Sequence, residues 1–264
     1  MRVRPPAVVL TAALALSPLA ACGSSDSGGS AASGSGAGSG TKSTLTVFAA
    51  ASLSETFTTL GKTFEKQHPG TTVRFSFGPS SGLAEQIGQG APAEVFASAS
   101  PTNMDTVVTS GDAEDPKDFA TNSMEIAVPP ANPGKVSDVA DLAGQGVKVA
   151  VCQPQVPCGK VATEVFDKAG LTVKPATEEV DVKSVLTKVT LGEVDAGVVY
   201  VTDVQAAGSK VKGIEIPAAQ NATTTYPIAA LTKAKDPKAA QQFVDLVLSA
   251  EGAKVLEAAG FARP

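Results

Sequence analysis

The 264-residue chain predicts an α/β fold in two lobes, each a mainly parallel sheet flanked by helices, with a cleft between the lobes. Three observations predict it. β-Branched apolar runs alternate with amphipathic helical stretches, the order that builds parallel sheets with helices on their faces. The alternation runs through about 44–122 and again through about 123–225, and two helices with no strand of their own close the chain. The composition, with no Trp, 2 Tyr and 25 Gly, suits helices packed closely on sheets through small side chains.

The first 43 residues lie outside this pattern. Arg2 and Arg4 precede an apolar run, Ala7 to Ala20, too short for a stable membrane span. The run ends in Leu19-Ala20-Ala21-Cys22, small residues directly before a cysteine, which is the pattern of a lipoprotein signal peptide. The expectation is a signal peptide over 1–21 and lipidation at Cys22; an ordinary signal peptide with an incidental cysteine is the alternative. Cleavage there removes Arg2 and Arg4 and moves the net charge from −5 to −7. The Gly/Ser-rich stretch that completes 22–43 cannot bury a core and predicts a tether with a reach of roughly 25 Å. Lobe one is then 44–122 plus 226–264, and lobe two is 123–225.

The remaining elements follow in order. Thr44–Ala49 reads as a buried strand, and Ser52 opens a helix running to Gln67 before Pro69-Gly70. Ser52 and Glu55 have the spacing of a capping box, while Leu53, Phe57, Leu60 and Phe64 recur on one face. Thr72–Phe77 is a second strand, Gly78 to Gly82 a turn, and Leu83–Gln89 a short helix. Glu94–Ser98 is a third strand, and Pro101 starts the helix that includes Asn103–Thr109. Met124–Val128 stops at Pro129-Pro130 and marks the crossing to lobe two. There Ser137–Leu142 reads as a capped short helix and Lys148–Val151 as a strand. The Pro-rich loop Cys152 to Gly159 precedes the helix Lys160–Ala169. Asp181 caps a helix with Val182, Val185, Leu186 and Val189 on one face. Asp195–Val201 and Val211–Ile216 are strands. Thr224–Leu231 is the last strand, followed by helices at Pro237–Leu248 and Glu251–Ala258.

Several kinds of chemistry are excluded. The single histidine, His68, ends a helix, and G-x-S-x-G, H-E-x-x-H and G-x-x-x-x-G-K-[ST] are all missing. The acidic balance argues against nucleic acid. Cys152 and Cys158 form a close even pair in a chain read as exported, which predicts a disulfide worth roughly 2–3 kcal/mol. Helices begin at strand ends with small or polar residues at Ser52, Ser80-Ser81, Cys158-Gly159 and Asp181-Val182. Parallel sheets bind ligands at that edge, and helix N-termini favour anions. Tyr200 ends a strand, and its phenol is either satisfied in the core or donated to a ligand. A plain cap remains the alternative role for Ser52.

Taken in order, Thr46-Val47-Phe48-Ala49-Ala50-Ala51-Ser52-Leu53, Ser76 to Ile87, Gly90 to Phe96, Val156-Pro157-Cys158-Gly159, Gly197-Val198-Val199-Tyr200 and Tyr226-Pro227-Ile228-Ala229 resemble the molybdate-binding periplasmic proteins of ABC importers. The resemblance covers 44–262. It implies a type II periplasmic-binding fold that closes on molybdate or tungstate. Carried over by position, the ligand donors are the hydroxyl and amide of Ser52 and of Ser80, the amides of Cys158 and Val182, and the phenol of Tyr200. The resemblance further implies delivery to a permease driven by a cytoplasmic ATPase, with no chemistry, cofactor or direct metal ligand of the protein's own. A monomer held to the membrane through Cys22 is the expected form. The Gly78-Pro79 pair and the Cys152/Cys158 pair depart from the family pattern. A receptor for sulfate or phosphate, an envelope hydrolase and a structural surface lipoprotein are the competing readings.

Overall fold

A computed structural model describes residues 43–264. The expected signal peptide, the Cys22 lipidation site and the tether up to residue 42 lie outside the described residues. Nine strands and eight α-helices alternate through the rest. The first half contains β1 (Ser43–Ala50), α1 (Ser54–Gln67), β2 (Thr71–Gly78), α2 (Ser80–Gly88), β3 (Val95–Ala97) and α3 (Pro101–Thr109). The chain crosses on β4 (Lys117–Val128). It then forms β5 (Val149–Cys152), α4 (Pro157–Ala169), β6 (Thr177–Glu179), α5 (Val182–Thr190), β7 (Ala196–Tyr200), α6 (Val201–Ala207) and β8 (Lys212–Glu215). It returns on β9 (Thr223–Ala230) and ends in α7 (Pro237–Leu248) and α8 (Ala250–Ala258).

The strand order is β2-β1-β3-β9-β4-β7-β5-β6, with β8 also paired to β4. Each end is a parallel trio, β2-β1-β3 and β7-β5-β6. Between them β9 and β4 run antiparallel to each other and to their outer neighbours β3 and β7. The mixture has a simple cause: the chain leaves along β4 and returns along β9, so adjacent outgoing and returning strands must oppose. β4 is longer than the apolar run Met124–Val128 suggests. Its first part, Lys117–Ser123, is mostly polar and is held by pairing with β9. Two further elements lack a sequence signal. β6 is three residues at an edge, and α6 follows β7 with no Gly or Pro between them.

Each half buries its own core. In the first, Phe57, Phe64 and Phe243 are fully buried. The Phe243 ring lies 5.5 Å from Phe64 and 5.9 Å from Phe57 in edge-on contact, so α7 packs directly on α1. The second core is mainly aliphatic, built from residues such as Val149, Val165, Val185, Val189 and Val198. This difference explains why the two closing helices belong with the first lobe, where the aromatic side chains of α1 and α7 meet. His68 follows the last turn of α1 with its ring against Phe64.

At the carboxyl edge of both trios, strands give way to helix starts. β1 leads through a 3₁₀ turn (Ala51–Leu53) into α1, β2 into α2, β5 into α4, β6 into α5 and β7 into α6. Replacing Phe243 by Ala is expected to cost about 3–5 kcal/mol. Urea unfolding followed by circular dichroism, the chain having no Trp, provides the measurement.

Candidate anion-binding site

The strand-to-helix turns of the two lobes converge on one small cavity. It is lined by Ala50, Ala51 and Ser52 from the first turn, Gly78, Pro79 and Ser80 from the second, and Ala99 after β3. Across from them stand Val156, Pro157, Cys158, Asp181, Val182 and Tyr200. The structure therefore brings together all five residues singled out as ligand donors. The space open to water-molecule centres is about 20 Å³, slightly more than one water requires. A compact ion fits such a space; an amino acid or sugar does not.

Local structure leaves hydrogen-bond donors free here. Ser80 is the first residue of α2, Cys158 the second of α4 and Val182 the first of α5. Amides in the first turn of a helix have no intrahelical acceptor. The Ser80 hydroxyl oxygen accepts a 2.9 Å bond from the Ala99 N–H, so its proton is free to be donated elsewhere. Asp181 borders the cavity, but its carboxylate accepts the Ser184 N–H at 2.8 Å and caps α5. Among the described residues no lysine, arginine or histidine lines the cavity, so its donors are amides and hydroxyls.

Ser52 departs from the sequence expectation. It lies inside the 3₁₀ turn, α1 begins two residues later, and no side chain caps the helix. The Ser52–Glu55 capping box is not formed. The Ser52 hydroxyl instead bonds the Tyr226 hydroxyl at 2.9 Å. Glu55 accepts from the Ser54 hydroxyl and from Lys183. The reason is geometric: the 3₁₀ turn rotates Ser52 towards β9, where a fully buried phenol needs a partner. Sequence reasoning found Tyr226 only as part of a family pattern. Its role was illegible because the contact spans 174 residues.

Tyr200 is the most exposed to a ligand's chemistry. The residue is buried and lines the cavity, and its hydroxyl makes no hydrogen bond among the described residues. A buried, unbonded phenol is costly. Burial pushes its pKa well above the ordinary value, with the Tyr226 phenol and the Asp203 carboxylate adding to the shift. Burial raises the Tyr226 phenol as well. Both phenols thus keep their protons at neutral pH. The ring of Tyr200 meets that of Tyr226 edge-on at 6.2 Å, and its backbone N–H donates to the buried Asp203 carboxylate at 3.1 Å.

The loop bearing Cys158 is tightly fixed. Cys152 and Cys158 are joined by a disulfide with Cα atoms 5.7 Å apart. A Cβ on Gly159 would fall 1.9 Å from the Gln153 carbonyl oxygen, so only glycine permits the loop to fold back on the start of α4. Pro157 at the first helical position supplies the φ that a helix start needs. The Gly78-Pro79 departure is absorbed without distortion: Pro79 precedes α2 in extended conformation, and its carbonyl accepts the Leu83 N–H.

Comparison with known proteins bears on this geometry. Residues 45–262 match the family described as bacterial extracellular solute-binding protein. The chain is 43% identical over 97% of its length, and 97% of the relative's, to a molybdate-binding protein, ModA, of Mycobacterium tuberculosis. It is 35% identical, over 83% of the chain and 86% of the relative, to YvgL of Bacillus subtilis, provisionally named an ABC transporter substrate-binding lipoprotein. Among solved structures, the periplasmic molybdate-binding protein of Azotobacter vinelandii superimposes with a TM-score of 0.75 at 25% identity, covering 83% of this chain and 99% of that one.

Burial raises the Asp203 carboxyl to about 6, against the pull of the Lys183 ammonium and the Tyr200 N–H. The folded protein then holds a proton that the unfolded chain has released above its ordinary value of 3.8. This group's contribution to stability therefore falls as pH rises from about 4 to 6. Asp203→Asn removes that titration. Its melting temperature, relative to that of the parent, is expected to rise between pH 4 and 7, as followed by circular dichroism.

Proposed function

The chain belongs to the bacterial extracellular solute-binding proteins, and we propose that the solute it captures is molybdate or tungstate, for delivery to an ABC importer. The observation that carries this reading is the convergence of Ser52, Ser80, Cys158, Val182 and Tyr200 on one cavity of single-ion size. The likeness to named molybdate-binding proteins over nearly the whole chain supports the choice of ion.

Seven neutral donors surround the cavity on this reading: three hydroxyls, of Ser52, Ser80 and Tyr200, and the amides of Ser52, Ser80, Cys158 and Val182. Fixed neutral donors replace the hydration shell of a dianion because hydrogen bonds to a charged acceptor are strong, and stronger still where water is excluded. With Tyr226 as the donor in its bond to Ser52, the serine proton is left for the ion. Sulfate is discriminated against because its shorter bonds leave donors unpaired, each costing about 1–3 kcal/mol. The protein acts by binding and supplies no catalytic group. Lipid attachment at Cys22 would keep it at the outer face of the cytoplasmic membrane, close to a permease driven by a cytoplasmic ATPase. The name of the Bacillus subtilis relative supports the anchor. The proposed form is a monomer with no resident cofactor.

A thermal-shift panel of molybdate, tungstate, sulfate and phosphate tests the ligand. Molybdate and tungstate are expected to raise the melting temperature; stabilisation by sulfate or phosphate in their place would reassign the site. Tyr200→Phe separates ligand binding from folding. Removal of an unbonded hydroxyl should leave the ligand-free protein as stable as the parent or more so. Titration calorimetry should show molybdate affinity falling by about 10- to 100-fold, the equivalent of one donor lost to a charged acceptor.

A further inference from the structure

Away from the crossing strands β4 and β9, few side chains join the two lobes. Among the described residues, one tie is a 3.3 Å bond from Gln205 Nε2 to the Ala258 carbonyl. The other is ionic. Lys183 Nζ, on α5 of the second lobe, donates to both carboxylate oxygens of Glu55 on α1 of the first, at 2.8 and 2.9 Å. The same ammonium lies 3.0 Å from Asp203 Oδ1. Beside Glu55, α1, α6 and α8 leave a gap of about 240 Å³, lined by Ser52, Thr202, Gln205 and Phe261 among others. The lobes can separate there without opening a packed core.

Each member of this triad is tied to a residue of the cavity. Glu55 lies three residues after Ser52, Lys183 directly follows Val182, and Asp203 accepts the Tyr200 N–H. Lys183 itself does not line the cavity, and two carboxylates occupy its ammonium. It therefore cannot serve as the ion's counter-charge without giving up those partners. We propose that Lys183 is a positioning residue that fastens the two lobes together behind the bound ion and sets how slowly the ion leaves.

The proposal rests on the anion-capture reading, and it accounts for a cation placed beside an anion site yet turned away from it. Opening the lobes separates Lys183 from Glu55 while leaving it with Asp203. The fastening is thus reversible and leaves no buried carboxylate unpaired. Burial opposes the charge on Lys183, but Asp203 and Glu55 outweigh it and raise its pKa; the ammonium persists through neutral pH.

The test uses Glu55→Gln in the full chain, because Lys183→Met would strand the buried Asp203 carboxylate and endanger folding. Stopped-flow measurements with molybdate should show dissociation accelerated by about 1.5- to fivefold, the range for a partly exposed ion pair. Association should stay within about twofold, since the pair forms after encounter. Lys183→Arg, which retains the cation, should behave as the parent. Spin labels on Thr58 and Leu191, exposed on opposite lobes, report the interlobe distance without ligand, and Glu55→Gln should shift it to longer values. Unchanged dissociation in a variant that still binds molybdate would overturn the proposal. If the parent itself fails to bind molybdate, the ligand reading falls, and the interlobe distances alone decide whether Lys183 fastens the lobes.

Discussion

The antiparallel ladder between β4 and β9 is the interaction on which the rest of the structure depends. Among the described residues it is the only stretch of sheet common to both halves: β4 pairs with β9 through Ser123 and with β7 and β8 from Met124 onward. Because the strands oppose, the chain leaves the first lobe and returns to it at neighbouring points. A domain interrupted in sequence thereby keeps one core in space. The ladder also turns the carboxyl edges of two separate parallel trios towards each other. Helix starts that would be scattered over a single sheet are instead gathered around one cavity.

The crossing strands contribute side chains as well as direction. Tyr226 lies on β9 and reaches Ser52, while Asn122 on β4 donates to the Thr202 hydroxyl at 2.9 Å. One path thus runs from the crossing strand to a wall of the cavity in the first lobe, and another to the first turn of α6 beside Tyr200. Movement of one lobe against the other would be felt at the donors themselves, which is the coupling between closure and binding that a population shift requires.

Much of this was legible in the sequence. The starts of α2, α4 and α5 were read at strand ends from Ser80-Ser81, Cys158-Gly159 and Asp181-Val182, because helix starts rely on local chemistry. The helix runs themselves were expected only from Leu83 and Lys160, and the structure begins them three residues earlier, at Ser80 and Pro157. Ser52 shows the limit of that logic. Its spacing to Glu55 satisfied the local rule, yet a phenol 174 residues away claimed its hydroxyl. Glu55 likewise found a partner 128 residues off in Lys183. The polar half of β4 and the edge strand β6 were missed for a related reason, since both owe their conformation to a neighbouring strand more than to their own pattern. Periodicity reports the side of an element that faces a core; it says little about which polar groups will meet across a cleft.

The absence of cationic side chains from the cavity wall, among the described residues, has a consequence for where such a protein can work. Its donors are hydroxyls and amides, and burial keeps the Tyr200 phenol protonated far into the alkaline range. These donors therefore keep their protons in mildly acidic, neutral or mildly alkaline surroundings. Proteins outside the cytoplasm meet whatever acidity the environment imposes, without the buffering of the cell interior. Donors that keep their protons across that range let such a protein hold its solute without relying on a cationic side chain.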